Sequence, residues 1–412
     1  MSLRTPAPLW TLEGLRAADP VLGLALLMLA AVLIAELLHR HMRLPRACGH
    51  MLAGAMASPL LLRLIDRNDL DPWKPLIDLA VGALLFELGT RIRPRWLLDN
   101  PWLAASALLQ SALAGLAVGL LLVALGAPPV SAAVAGAVAM ATSPVIALTS
   151  INELRSRGQV TERVLMLTAV SSVLAVISLK VLRIVLVSDG AAPGDELLVA
   201  LSSALRVVFG SLLLGLAAGF LLERSSRLVR GTSAMPVLQI GFVITASMLA
   251  AQWTLSPLLA LLIAGISARQ RMGHTLTVEP HLGSAGAALN VVLFLSLGLL
   301  FTLDGFWTLW PWALAIIVAR LVASGIALGA LAPRAGLSWR QSAALTLALQ
   351  PMSGLAVLLA ADTFGWTRQL PGMDVQVMQA LLIATTVMQA IGPIWTQESL
   401  RRLAGEAPGS GD

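Results

Sequence analysis

Two stretches decide the fold: Ala141-Thr142-Ser143-Pro144-Val145 and Leu349-Gln350-Pro351-Met352-Ser353-Gly354. Each sets a proline beside small polar residues in the middle of a long apolar run. Proline lacks a backbone donor and clashes with the preceding turn, so a helix there kinks or breaks. In lipid, backbone groups freed in this way are tolerated only where protein or a water-filled cavity satisfies them. One such proline is ordinary in a membrane helix. Two breaks at matching points of two halves mark a transporter's binding site.

The rest of the composition agrees with a membrane setting. Of 412 residues, 57% are hydrophobic and 12% charged, against about 25% charged in soluble domains. The mean hydropathy is +0.84. The chain therefore reads as an integral membrane protein in a lipid bilayer. The net charge of +6 is accounted for by basic loops on one membrane face, and no nucleic-acid partner is expected. Cys48 is the one cysteine, so no intramolecular disulfide is possible. Tyrosine is absent, which leaves tryptophan to supply any interfacial belt. The first apolar run, Val21 to Leu38, runs directly into His39-Arg40-His41-Met42-Arg43-Leu44-Pro45-Arg46 without a small-residue cleavage site. It reads as a span rather than a signal peptide.

Thirteen spans of roughly 20 residues fit this pattern. They lie at 20–38, 46–64, 74–90, 101–125, 128–151, 162–186, 196–222, 235–251, 255–270, 284–303, 308–331, 339–362 and 374–397. Eighteen Lys/Arg residues fall in loops on one side, including Arg91, Arg155, Arg224, Arg269 and Arg401, and six on the other. The positive-inside rule then places the C-terminus in the cytoplasm and the N-terminus outside. The expected organisation is an outside segment 1–19, a transmembrane domain 20–400 and a short cytoplasmic tail 401–412. The broken members are the fifth and twelfth spans, seven apart, so two six-helix units of opposite orientation are expected. These are a repeat over 20–186 and a second over 235–397, joined by a connector helix at 196–222. Such an arrangement is an inverted repeat.

Several motifs resemble the monovalent cation:proton antiporter superfamily, the sodium/hydrogen exchanger-like membrane domain. Leu44-Pro45-Arg46 followed by Met51-Leu52-Ala53-Gly54 is similar to the family's first cytoplasmic turn and second helix. Leu84-Leu85-Phe86-Glu87-Leu88-Gly89 resembles a segment of its third. Ala141-Thr142-Ser143-Pro144 resembles its first broken helix. Gly336-Leu337-Ser338-Trp339-Arg340 leading to Leu347-Ala348-Leu349-Gln350 resembles its second. The resemblance runs over about residues 20 to 400. It implies an all-α polytopic membrane protein with crossed broken helices, alternating access and a homodimer, in the cytoplasmic membrane of a bacterium. It implies no cofactor and no structural metal. Some members carry a cytosolic nucleotide-binding domain after the last span. The chain ends at Asp412, so no such domain is expected here.

In that family the helix after the first break carries an acidic pair that exchanges a proton for the cation. Here the pair falls on Ser171 and Ser172, and no Asp or Glu lies between Arg163 and Ser188. The acidic pair is therefore degenerate. Hydroxyls can ligate a cation but carry no exchangeable charge. The expected ion or solute site comprises Thr142, Ser143, Ser171, Ser172, Gln350 and Ser353, with Pro144 and Pro351 as the helix breaks. Arg320 matches a position where the family carries Lys or Arg. The resemblance implies that it compensates the negative ends of the crossed helices or pairs with a carboxylate, and a structural ion pair is the plainer reading. Glu87 is the best remaining carboxylate, either an interfacial partner of Arg91 or Arg93, or a partner of Arg320 or a relocated proton carrier. Lys180 lines the cavity or extends toward the outer interface.

Three functions follow. The first is secondary active transport, monovalent cation (Na⁺ or K⁺):proton antiport with a non-standard site. The second is transport of an anion or neutral solute on the same fold. The third is a non-transporting membrane sensor or scaffold. An enzyme is not expected. The five histidines (His39, His41, His50, His274 and His281) have no metal-hydrolase spacing, and neither a nucleophile elbow nor a phosphate-binding glycine loop is present.

Overall fold

A computed structural model describes residues 20–58, 74–92, 94–187, 193–229, 234–272, 283–299, 305–352 and 373–406. Within these are fifteen α-helices: α1 (Pro20–Met42), α2 (Arg46–Ala57), α3 (Lys74–Arg91), α4 (Pro94–Asp99), α5 (Pro101–Ala124), α6 (Pro129–Ala139), α7 (Pro144–Leu154), α8 (Gln159–Val187), α9 (Pro193–Ser226), α10 (Met235–Gln252), α11 (Pro257–Met272), α12 (Gly283–Leu299), α13 (Phe306–Leu331), α14 (Trp339–Ala348) and α15 (Val375–Glu398). A π-helical turn, Ser399–Ala404, extends the last. The described residues contain no strand, only one isolated bridge between Thr142 and Met352.

Proline placement explains much of this punctuation. It is the first residue of α1, α4, α5, α6, α7, α9 and α11. At that position its missing N–H would have lacked an intrahelical partner anyway. The short helix α4 was not expected from the sequence. Seven described helices are long and apolar enough to cross a bilayer, among them α5, α13 and the combined α15 and π-turn.

The chain forms two compact units. In the first, residues to Val81 and from His281 to Asp304, α1, α2 and α12 enclose a small core of Ala31, Ala53, Ala57, Leu295 and Leu299. Here α2 and α12 cross so closely that a Cβ on Gly54 would collide with the Leu295 carbonyl. Gly298 lies equally tight against the Met51 carbonyl. Close crossing through small residues is how membrane helices maximise packing without a hydrophobic driving force.

The second unit comprises Gly82–Pro280 and Gly305–Asp412. It has a crossing of the same kind, in which Gly89 of α3 meets the Leu262 carbonyl and Gly265 of α11 meets that of Phe86. Its core gathers Val118 and Leu122 of α5, Val134 and Val138 of α6, Ile316 of α13, and Leu381 and Ala384 of α15. The first broken helix, α6, thus packs into this core.

A tail contact fixes the helix that carries Ser171 and Ser172. Gly405 takes a left-handed conformation, φ 67°, and turns the chain so that Glu406 reaches the N-terminus of α8. Its carboxylate accepts from the backbone N–H of Val160 at 2.7 Å and of Thr161 at 2.7 Å, and from Thr161 Oγ1 at 2.8 Å. The Glu406 carbonyl also accepts from Arg157 N at 3.1 Å. A Cβ on Gly158 would overlap the Glu406 carboxylate. A carboxylate on orphan N-terminal amides is a favourable cap. Glu406→Ala should therefore cost about 1–2 kcal/mol. Hydrogen exchange should show Val160 and Thr161 losing protection while the amides of α13 keep theirs.

Candidate functional site

Ser143 is the N-cap of α7, its Oγ accepting from Ile146 N at 3.3 Å, and Pro144 follows at the first helical position. Residues between Ala139 and Pro144 leave the helix, separating α6 from α7. The second broken helix starts with a capping box, Ser338 paired with Gln341, and ends at Ala348 before Pro351. The two extended stretches meet where Ser143 N donates to the Pro351 carbonyl at 2.8 Å. The breaks anticipated at Pro144 and Pro351 therefore touch and share one backbone hydrogen bond.

Arg320 of α13 lies at this crossing, 1% exposed. Its Nε donates to the Ala139 carbonyl at 2.7 Å and its Nη1 to that of Gln350 at 2.7 Å. Nη2 reaches the Ala141 carbonyl at 3.4 Å. These carbonyls belong to the C-terminal ends of α6 and α14, where helix dipoles concentrate negative potential. One guanidinium thus satisfies acceptors from both broken helices. Arg320 makes no ion pair with Glu87, so that pairing is corrected: the freed carbonyls occupy its donors instead.

The expected hydroxyls do come together. Thr142 Oγ1 and Ser171 Oγ are 2.6 Å apart, and Thr142 N donates to Ser171 Oγ at 3.3 Å. Ser172 Oγ donates to the Thr168 carbonyl at 2.9 Å and stands 3.5 Å from that of Thr142. All are buried. Thr168, one turn earlier on the same face of α8, was missed by sequence reasoning. Its carbonyl accepts from both serines, while its buried hydroxyl oxygen has no partner. The 3-4 spacing before Ser171-Ser172 was the available signal, but hydroxyls on apolar helices are common.

Gln350 is fully buried. Its amide nitrogen donates to the Thr346 carbonyl at 3.0 Å, and its Oε1 is unpaired. Ser353 and the Lys180 side chain lie outside the described residues.

Glu87 sits in a separate cluster. Arg91 Nη2 donates to Glu87 Oε1 at 3.0 Å and to Asn152 Oδ1 at 2.5 Å, and Asn152 Nδ2 donates to Glu87 Oε1 at 3.1 Å. Asn152 stands near the C-terminal end of α7, so Glu87 touches the far end of the helix that begins at the first break. Among the described residues no group of three His, Cys, Asp or Glu could hold a metal ion.

The family described as "Sodium/hydrogen exchanger, transmembrane" matches residues 26–401. Among solved structures, the chain is similar to that of the sodium proton antiporter MjNhaP1 from Methanocaldococcus jannaschii at pH 8. The TM-score is 0.72 at 14% identity, covering 94% of this chain and 99% of that one. An electron-microscopy map of the same antiporter gives a TM-score of 0.72 at 14% identity, with 95% and 100% covered. At such identity the likeness establishes the fold. No curated protein matches significantly. Family and fold are those of a membrane transporter and not of an enzyme. On its matched length, this integral membrane protein belongs to the sodium/hydrogen exchanger transmembrane family.

Proposed function

We propose that the protein exchanges a monovalent cation, Na⁺ or K⁺, for protons by alternating access, through a site whose ligands are neutral. The observation that carries this reading is the buried cluster of oxygens at the first break: Thr142, Ser171 and Ser172, with the free hydroxyl of Thr168 beside them on α8. Oxygen-rich, uncharged groups suit a partly dehydrated alkali cation. The anion reading is less well supported, because Arg320 directs its donors to backbone carbonyls and does not present them to a ligand. The sensor reading has no specific observation in its favour.

Proton coupling then needs another group, and Glu87 is the candidate. It is 13% exposed and bonded to Arg91, and through Asn152 it touches the helix that begins at the site. Protonating Glu87 would weaken both contacts. The inverted repeat belongs to the same reading. The glycines of the two close crossings, Gly54 with Gly265 and Gly89 with Gly298, like Pro144 with Pro351, recur roughly 210 residues apart, as two repeats of one fold would. The cytoplasmic C-terminus is supported by basic last turns on α1, α3, α9 and α11. The homodimer that the family implies completes the reading.

Proteoliposomes with a trapped pH dye test it, with Na⁺, K⁺ and Li⁺ pulses between pH 6 and 9. Wild-type protein should move protons against one of these cations, and Glu87→Gln should lower that proton flux at least roughly a hundredfold, as expected for loss of a proton-transfer group. No proton movement with any cation would refute exchange. Full flux in Glu87→Gln would refute the assigned carrier.

A further inference from the structure

The helix after the first break, α8, lays Ser171 and Ser172 against it. Helix α15 treats the second break in the same way. Thr385 Oγ1 donates to Met352 Sδ at 3.8 Å. Gly392 lies beneath Pro351, where a Cβ would stand 2.8 Å from the ring. Thr396 Oγ1 donates to the Ala348 carbonyl at 3.4 Å. Positions 385, 389, 392 and 396 follow the three- and four-residue steps of a single helix face. Gln389 therefore stands between two residues that touch the second break and faces it.

Gln389 is 2% exposed, and its amide nitrogen has no hydrogen-bond partner. Gln350, on the break itself, is 0% exposed with an unpaired amide oxygen. A buried donor and a buried acceptor are thus left open on two segments packed together. Native proteins rarely bury such groups unless a ligand or water meets them, and polar groups within membrane spans tend to be functional. Because Thr142 and Met352 pair, these amides flank the same crossing as the α8 hydroxyls.

We infer that Gln389 is a specificity-determining residue of the cation site. With Gln350 it holds a water that the cation keeps on entering. That water accepts from the Gln389 amide N–H, donates to Gln350 Oε1, and turns its remaining lone pair to the ion. The hydroxyls of α8 ligate the ion directly from the first-break side. This rests on the exchange reading above and names what that site selects: a cation that retains part of its hydration shell.

Two variants test it. In a Cys48→Ser background, Gln389→Cys should react with a small cationic methanethiosulfonate reagent in proteoliposomes, and saturating transported cation should slow the reaction. Gln389→Leu, which removes the open donor without adding a polar group, should stay folded and transport. Its ratio of apparent KM values for Na⁺ and K⁺ should shift about tenfold, the equivalent of one hydrogen bond. A thiol in Gln389→Cys that never reacts, or that no cation protects, overturns the assignment while wild-type flux leaves exchange standing. So does an unchanged KM ratio in Gln389→Leu. Absence of wild-type flux with every cation sinks exchange and this inference together.

Discussion

Arg320→Met is expected to abolish transport and to destabilise the protein by on the order of 3–5 kcal/mol. The side chain is 1% exposed and donates to carbonyls of Ala139, Gln350 and Ala141. Methionine fills a similar volume but donates nothing, so three buried acceptors lose their partner. Each orphaned acceptor costs about 1–3 kcal/mol, and the three do not add fully. The arginine itself costs roughly 2.5–3.5 kcal/mol to insert at the centre of a membrane helix, a burden justified only if the crossing needs it. Arg320→Lys should recover part of the stability and little of the transport, because a single ammonium cannot match the planar fork that spans both broken helices. Thermal unfolding of detergent-solubilised protein, followed by tryptophan fluorescence, reads the first effect and proteoliposome flux the second. An unchanged melting temperature in Arg320→Met would show that the carbonyls find other donors.

Ser172→Asp is expected to impose a steep pH dependence on cation uptake. Ser172 is 4% exposed and donates to the Thr168 carbonyl at 2.9 Å, beside the Thr142–Ser171 hydroxyl pair. A carboxylate placed there can hold a proton or an alkali cation, and the two compete. Apparent KM for the cation should then rise up to about tenfold for each unit of falling pH where the proton wins. Wild-type protein has only hydroxyls at this point, so its apparent KM should vary far less over the same range. Cation uptake between pH 6 and 9, wild type beside variant, decides it. A flat profile in Ser172→Asp would mean that the cation does not bind against this face of α8.

The breaks were legible because proline acts locally: Pro144 and Pro351 end helices whatever surrounds them. Ser143 and Ser338 cap their helices by equally local rules. Gathering of Thr142 with Ser171 and Ser172 followed from the resemblance, since it needs the path of α8 past the break. Thr168 and Gln389 escaped notice for a different reason. Their interest lies in an unpaired atom, and pairing is decided by neighbours distant in the chain. Glu87 was named with three candidate partners, Arg91, Arg93 and Arg320, and the structure brings Arg91 and Asn152. Asn152 stands on a helix more than sixty residues away, which no local pattern encodes. The cap on α8 is the extreme case, with residues about 245 positions apart.

That cap bears on the order of synthesis. The helix bearing Ser171 and Ser172 leaves the ribosome with the amides of Val160 and Thr161 unmet, and the carboxylate that meets them belongs to Glu406. Every other described helix has been made before that residue appears. The site helix is thus assembled early but finished last, and a chain released before Glu406 would hold every described helix with the first turn of α8 still open.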